Sequence, residues 1–323
     1  MAARRRTGKK VFKAFLPIML LLLLVVVGAL VWIGYGATHP PQRPYLVTPE
    51  KFKLISDRGL KVTDETWTNR DGTKARGWLL RGAENAPAVV LLHRYGADRS
   101  WLLNLGVKIN EATNFTVLWP DLRGHGENPP VAWTSFGAKE SADTLAALDY
   151  LRGLKTPQGR SLASASVGLY GVEMGAYAAL LAGTKDANVR ALVLDSVPTD
   201  PDDLARTAAS ERVGMSNGIV NLLARTGTRL YFLGSYESQT ACAAANGTSG
   251  GERRVLLLSG ADAGRLRDST NALAACFPDK GSIELQSDLP LSGFNLASAT
   301  GTQGEAYDRR VIEFFDKALR GNP

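Results

Sequence analysis

The order of apolar runs along this chain predicts an α/β domain, with a mostly parallel central sheet, helices on both faces, and one membrane-length apolar helix in front. Three observations carry that expectation. First, residues 88–92, 116–119, 166–170, 189–194 and 255–259 are short, nearly continuous apolar runs, as in strands buried on both faces. Second, helical stretches at 101–112, 141–154, 174–182, 265–275 and 306–319 alternate with or follow them, and strand–helix alternation argues a parallel sheet. Third, residues 60–68 and 74–80 read as an antiparallel hairpin turning through Asn69-Arg70-Asp71-Gly72.

The N-terminal segment comes first. Arg4, Arg5, Arg6, Lys9, Lys10 and Lys13 precede residues 14–38, which carry no charge, and residues 20–27 are purely aliphatic. Roughly 20 apolar residues at about 1.5 Å each cross a hydrocarbon core of about 30 Å. Trp32 and Tyr35 stand at the far end, where amphipathic rings favour the interface. The expected boundaries are a basic tail at 1–13, a transmembrane anchor at 14–37 in contact with lipid, and the remainder beyond the membrane. Basic residues on the N-terminal side place that end in the cytoplasm and the main domain outside. A cleaved signal peptide is the alternative: Gly34, Gly36 and Ala37 offer small residues, although the apolar stretch exceeds the usual h-region.

The formal charge of +7 does not indicate nucleic-acid binding. Taking the six tail residues from 38 basic side chains leaves 32 against 31 acidic ones, so the folded part is near neutral. Residues 38–59 form a linker, extended through His39-Pro40-Pro41-Gln42-Arg43-Pro44 because proline fixes φ and restrains its predecessor. Residues 60–323 form the main domain. Within it, 200–250 lack a strand pattern and suit a small helical insertion or cap. Cys242 and Cys276 fit no metal motif, and no cofactor is expected; the two pair as a disulfide or stay as separate buried thiols.

Four segments then occur in a telling order. They are Val89-Val90-Leu91-Leu92-His93-Arg94-Tyr95-Gly96, Asp121-Leu122-Arg123-Gly124-His125-Gly126, Thr134-Ser135-Phe136-Gly137, and Val167-Gly168-Leu169-Tyr170-Gly171-Val172-Glu173-Met174-Gly175. Together they resemble α/β hydrolases of the serine aminopeptidase and prolyl-oligopeptidase-like type, over most of residues 60–200. The resemblance implies an oxyanion loop at His93, Arg94 and Tyr95, and a structural turn at Asp121, Arg123 and His125. It also implies a nucleophile elbow flanked by Gly171 and Gly175, with the Met174 N–H as second oxyanion donor.

The chain departs from that pattern at the chemistry. Glu173 stands where the family has serine, and a carboxylate has no hydroxyl to deprotonate. The family's histidine would lie at about 290–298, which contains none; His39, His93 and His125 are the three histidines of the chain. Asp262 stands at about the acid's place, though a loop aspartate is also an ordinary turn residue. Arg94 replaces a glycine, and either pairs with Glu173 or points to solvent. The expectation is a membrane-tethered pseudoenzyme that binds a ligand or protein partner. Its alternatives are a hydrolase with Glu173 as carboxylate nucleophile, or one using a displaced serine such as Ser196 or Ser292.

Overall fold

A computed structural model describes residues 2–51, 61–248, 253–295 and 301–320, with side chains from Phe12 onward. The tail's basic side chains before Phe12, linker residues 52–59, residue 60 at the start of the expected hairpin, and residues 296–298 of the expected base loop lie outside the described residues. The chain divides into two compact units: His39–Leu204 with Glu237–Pro323, and Met1–Thr38 with Ala205–Tyr236.

The larger unit holds an eight-stranded sheet. Its strands are β1 (Val62–Thr68), β2 (Lys74–Leu80), β3 (Ala86–Leu92), β4 (Thr116–Pro120), β5 (Ala163–Val172), β6 (Val189–Asp195), β7 (Arg254–Leu258) and β8 (Ile283–Gln286). They lie in the order β1-β2-β4-β3-β5-β6-β7-β8. β1 pairs antiparallel with β2 in the expected hairpin, whose turn closes with the Gly72 N–H donating to the Asn69 carbonyl at 2.9 Å. β2 pairs antiparallel with β4, and every later pairing is parallel. Residues 88–92 are fully buried, which explains their unbroken apolar run: a central strand covered on both faces has no side for a polar residue.

Around the sheet lie α2 (Leu103–Thr113), α3 (Ala138–Gly153), α4 (Met174–Lys185), α7 (Ala241–Asn246), α8 (Arg265–Leu273) and α9 (Thr302–Arg320). α3 starts earlier than its apolar periodicity predicts because the buried Glu140 carboxylate caps its entry. It accepts from the Thr134 and Ser135 hydroxyls, both at 2.6 Å, and from the Gly137 N–H at 2.8 Å. α9 buries Val311, Phe314, Phe315 and Leu319 on one face, each side chain contributing about 1.5–3 kcal/mol of transfer free energy. Cys242 and Cys276 are bonded, tying α7 to the short helical turn Ala274–Cys276.

The linker bonds to the domain that follows: the Tyr45 hydroxyl donates to Asp121 at 2.6 Å, and the Leu46 N–H donates to the Ser100 hydroxyl at 3.0 Å. β8 was not expected at all. Its four residues alternate in polarity at the sheet edge, too short a pattern to announce a strand.

The smaller unit contains α1 (Ala2–Thr38), most of α5 (Pro201–Val213) and α6 (Gly218–Tyr231). α1 is one continuous helix with Pro17 inside it, running without a break through the expected 13/14 boundary. Its Phe12–Thr38 portion, 27 residues, is long and apolar enough to cross a membrane. Residues 201–246, where an insertion or cap was expected, hold helices α5, α6 and α7. Val220 and Ala224 of α6 pack with Ala209 and with Ile33 of α1.

Candidate active site

The site grows from the end of β5. Val172 closes the strand, Met174 opens α4, and Glu173 between them takes φ 51°, ψ −109°. Such a conformation costs a non-glycine residue about 1–3 kcal/mol and persists only where surroundings enforce it. Two glycines let them do so. A Cβ on Gly171 would lie 2.3 Å from the Gly175 carbonyl carbon, and a Cβ on Gly175 would lie 2.3 Å from the Leu92 carbonyl oxygen. The Glu173 N–H donates to the Asp195 carbonyl and its own carbonyl accepts from the Tyr177 N–H, both at 2.9 Å. The result is a sharp strand-to-helix turn with the Glu173 side chain at its tip.

The carboxylate does not stand out in solvent. Glu173 is 5% exposed, and one of its oxygens accepts from the Tyr95 backbone N–H at 3.1 Å. Tyr95 belongs to the loop after β3, which in acyl-transfer sites supplies an N–H to the developing oxyanion. That donor is directed at Glu173 here. Met174 is fully buried, and its sulfur accepts from the Thr134 hydroxyl at 3.3 Å.

Arg94 lies beside this contact. Its guanidinium donates to the Tyr95 carbonyl at 3.0 Å and sits over the rings of Trp101 at 4.6 Å and Phe294 at 5.3 Å. Arginine in place of glycine thus fills the loop's flank with a cation held between two aromatic faces.

Both histidines near the site have their ring nitrogens engaged with backbone. His93 donates from Nδ1 to the Arg94 carbonyl at 2.8 Å and accepts at Nε2 from the Leu122 N–H at 3.0 Å. His125 donates from Nδ1 to the Arg123 carbonyl at 2.9 Å and accepts at Nε2 from the Gly96 N–H at 3.0 Å. Carbonyls only accept and peptide N–H groups only donate, so these contacts fix a neutral tautomer for each ring. Burial pushes His93 down to about 4; burial, with His93 as neighbour, pushes His125 down to about 3. The Asp121–Gly126 turn is likewise held by ion pairs. Asp121 meets Arg76 at 3.2 Å and Arg99 at 3.4 Å, while Arg123 pairs with Asp143 and, at 3.0 Å, with Asp71.

Asp262 follows β7 and reaches the loop where the base would lie. Its carboxylate accepts from the Ser292 N–H at 2.6 Å and from the Asn295 side-chain amide at 2.5 Å. Asn295 therefore holds the acid's attention in the manner of a histidine, but an amide cannot take a proton from a nucleophile. Sequence reasoning overlooked Asn295, although it lay within the stretch searched for a histidine.

A second buried group also escaped the sequence. Asp195, at the end of β6, is fully buried and accepts from the Ser196 and Tyr307 hydroxyls, each at 2.6 Å, and from the Gly293 N–H at 2.8 Å. Tyr307 in turn meets Tyr170 at 2.8 Å. Burial pushes the Asp195 carboxyl up to about 6. This network ties β5, β6, α9 and the 289–295 loop together behind the elbow. Of the displaced-serine candidates, Ser196 belongs to it, whereas the Ser292 N–H donates to Asp262; both serines are fully buried. Among the described residues, no group of three or more His, Cys, Asp or Glu side chains is placed to hold a metal ion.

No protein-family profile matches the chain. One curated relative, a thiohydrolase designated aneE from Aspergillus aculeatus, is 27% identical over 124 residues, spanning 38% of this chain and 37% of its own length. Solved structures match far more of the chain. The esterase Pf2001 of Pyrococcus furiosus superposes with a TM-score of 0.63 at 19% identity, covering 87% of this chain and 98% of its own. Brefeldin A esterase, a bacterial homologue of human hormone-sensitive lipase, gives 0.59 at 17% identity over 93% and 87%. LipW of Mycobacterium marinum, another esterase, gives 0.58 at 19% identity over 85% and 92%.

Proposed function

We propose that this α/β-hydrolase-fold chain is a membrane-tethered pseudoenzyme whose elbow site binds a ligand or protein partner instead of cleaving it. One observation carries the proposal: the Glu173 carboxyl accepts from the Tyr95 N–H, so an acceptor of the protein's own already sits on a donor that catalysis would need. Three further features support it. Serine is replaced at the elbow; the two site histidines spend their nitrogens on backbone; and an asparagine, not a histidine, faces Asp262. Carboxylate-nucleophile chemistry would require a base to drive water onto the ester intermediate, and neither neutral, backbone-bound histidine is suited to that.

The tether is the second part of the proposal. The Phe12–Thr38 helix would span the bilayer, with the N-terminus cytoplasmic and the larger unit outside. A disulfide between Cys242 and Cys276 suits an oxidising compartment.

The deciding experiment incubates the purified full chain with a fluorophosphonate probe and, separately, with p-nitrophenyl acetate and a small acyl thioester. The neighbours' names, esterase and thiohydrolase, set that choice. No labelling and no turnover above buffer are expected. Turnover that disappears in Glu173→Ala would overturn the pseudoenzyme assignment in favour of a carboxylate nucleophile. Phosphonate labelling would do so in favour of a displaced serine.

A further inference from the structure

Helix α6 presents two apolar faces, and among the described residues one is buried and the other exposed. At about 100° per residue, Val220, Ala224, Gly227 and Thr228 share a face, and all four are buried. They pack toward α1: a Cβ on Gly227 would lie 2.6 Å from the Leu30 carbonyl oxygen, and one on Gly34 would lie 2.7 Å from the Gly227 carbonyl carbon. Backbone touches backbone at this crossing. The other face carries Ile219, Leu222 and Leu230, which are 72%, 64% and 54% exposed, flanked along the chain by Met215 at 55% and Leu233 at 85%.

The crossing fixes where this open face lies relative to a membrane. From Phe12 to Leu30 the helix rises about 27 Å, close to one hydrocarbon thickness. Trp32 and Tyr35, both exposed, stand within a turn of the crossing, and the Arg212 guanidinium lies over the Trp32 ring at 5.3 Å. Aromatic rings with a cation beside them are what an acyl–headgroup boundary favours.

We infer that α6 is a second membrane element, set at the boundary of the leaflet from which α1 emerges, with Ile219, Leu222 and Leu230 among the acyl chains. The occupant of the open face is lipid, because α6 packs backbone to backbone on the helix proposed to span the bilayer, within a turn of the aromatic rings at its far end. A second copy of the chain is the competing occupant. The inference rests on the tether proposed above, and its test separates the two.

Single cysteines are introduced in the full chain as Leu22→Cys, Leu222→Cys, Leu230→Cys and Lys317→Cys. All four positions are exposed. Without reductant Cys242 and Cys276 remain bonded, so a thiol-reactive NBD dye marks each new site alone. The protein is reconstituted in phosphatidylcholine–phosphatidylglycerol vesicles, with nitroxide-labelled lipid or aqueous iodide as quencher. The Leu222 and Leu230 dyes should lose about twofold or more emission to shallow nitroxide and resist iodide, with Lys317 behaving oppositely. If Leu22 is quenched by deep nitroxide while Leu222 and Leu230 are open to iodide, the inference fails and the tether stands. Shielding from iodide without lipid quenching means a protein surface covers the face, and also overturns it. An unquenched Leu22 removes the tether and the inference together.

Discussion

The Glu173 carboxylate and the Tyr95 backbone N–H are joined by a 3.1 Å hydrogen bond between the turn from β5 into α4 and the loop after β3. Under the function proposed above, that acceptor occupies the donor a substrate would need. Glu173→Ser should therefore remain inert to fluorophosphonate, because restoring the hydroxyl restores no base. In-gel fluorescence of the labelled variant beside a known serine hydrolase checks this, and strong labelling would mean a base has been overlooked.

Strain and hydrogen bonding at the elbow can be separated by two substitutions at one position. Glu173→Ala removes the acceptor from the half-buried Tyr95 N–H but keeps a Cβ at φ 51°, so it should lower stability by about 1–2 kcal/mol. Glu173→Gly loses the same acceptor while relieving the backbone. It should be more stable than the alanine variant by about 1 kcal/mol. Urea unfolding of the pair measures the difference.

Gly171→Ala and Gly175→Ala place a Cβ against backbone at 2.3 Å in each case, and backbone cannot yield as a flexible side chain can. Each should cost more than about 3 kcal/mol or prevent soluble folding. Expression yield and circular dichroism report it.

Asp195 gives a pH signature with a definite sign. Its folded carboxyl is pushed up to about 6 by burial, from an ordinary 3.8, so the native state holds its proton over a range in which the unfolded chain has lost it. Its contribution to stability is full below about 4 and declines as pH rises through 6. Asp195→Asn, which cannot titrate, should flatten that component. The gap between wild type and variant should change by on the order of 2–3 kcal/mol between pH 4 and pH 7 in unfolding experiments. An unchanged gap would show that the carboxyl titrates normally.

Cys242 and Cys276 close a loop with a sequence separation of 34. Replacing both by serine should destabilise the larger unit by about 2–4 kcal/mol on the chain-entropy account. Thermal unfolding with and without reductant should show the same loss in wild type and none in the variant.

The sheet was legible because its central strands are buried on both faces and so carry unbroken apolar runs; residues 88–92 announce β3 without help from neighbours. The sharp turn at Glu173 was legible for a different reason: Gly171 and Gly175 are demanded by close backbone approach, whatever residue stands between them. Other features depend on partners distant in sequence. Nothing near Asn295 signals that its amide meets Asp262, 33 residues away. Asp195 looks like the polar end of a strand until Tyr307 and Gly293 are brought to it. The face of α6 toward α1 is built from Val220, Ala224, Gly227 and Thr228, small residues whose spacing is helical but whose low hydrophobicity conceals a packing surface.

The smaller unit is discontinuous in sequence, and this orders events during synthesis. α1 is translated first, yet its partner segment 205–236 follows only after residues 39–204. At about 5–20 residues per second, α1 waits on the order of ten to thirty seconds with its Gly34 face uncovered. A ribosome stalled within residues 39–204 would therefore leave a helix already made but still lacking its mate. Nascent chains of graded length, crosslinked from position 34, would show the moment at which α6 arrives.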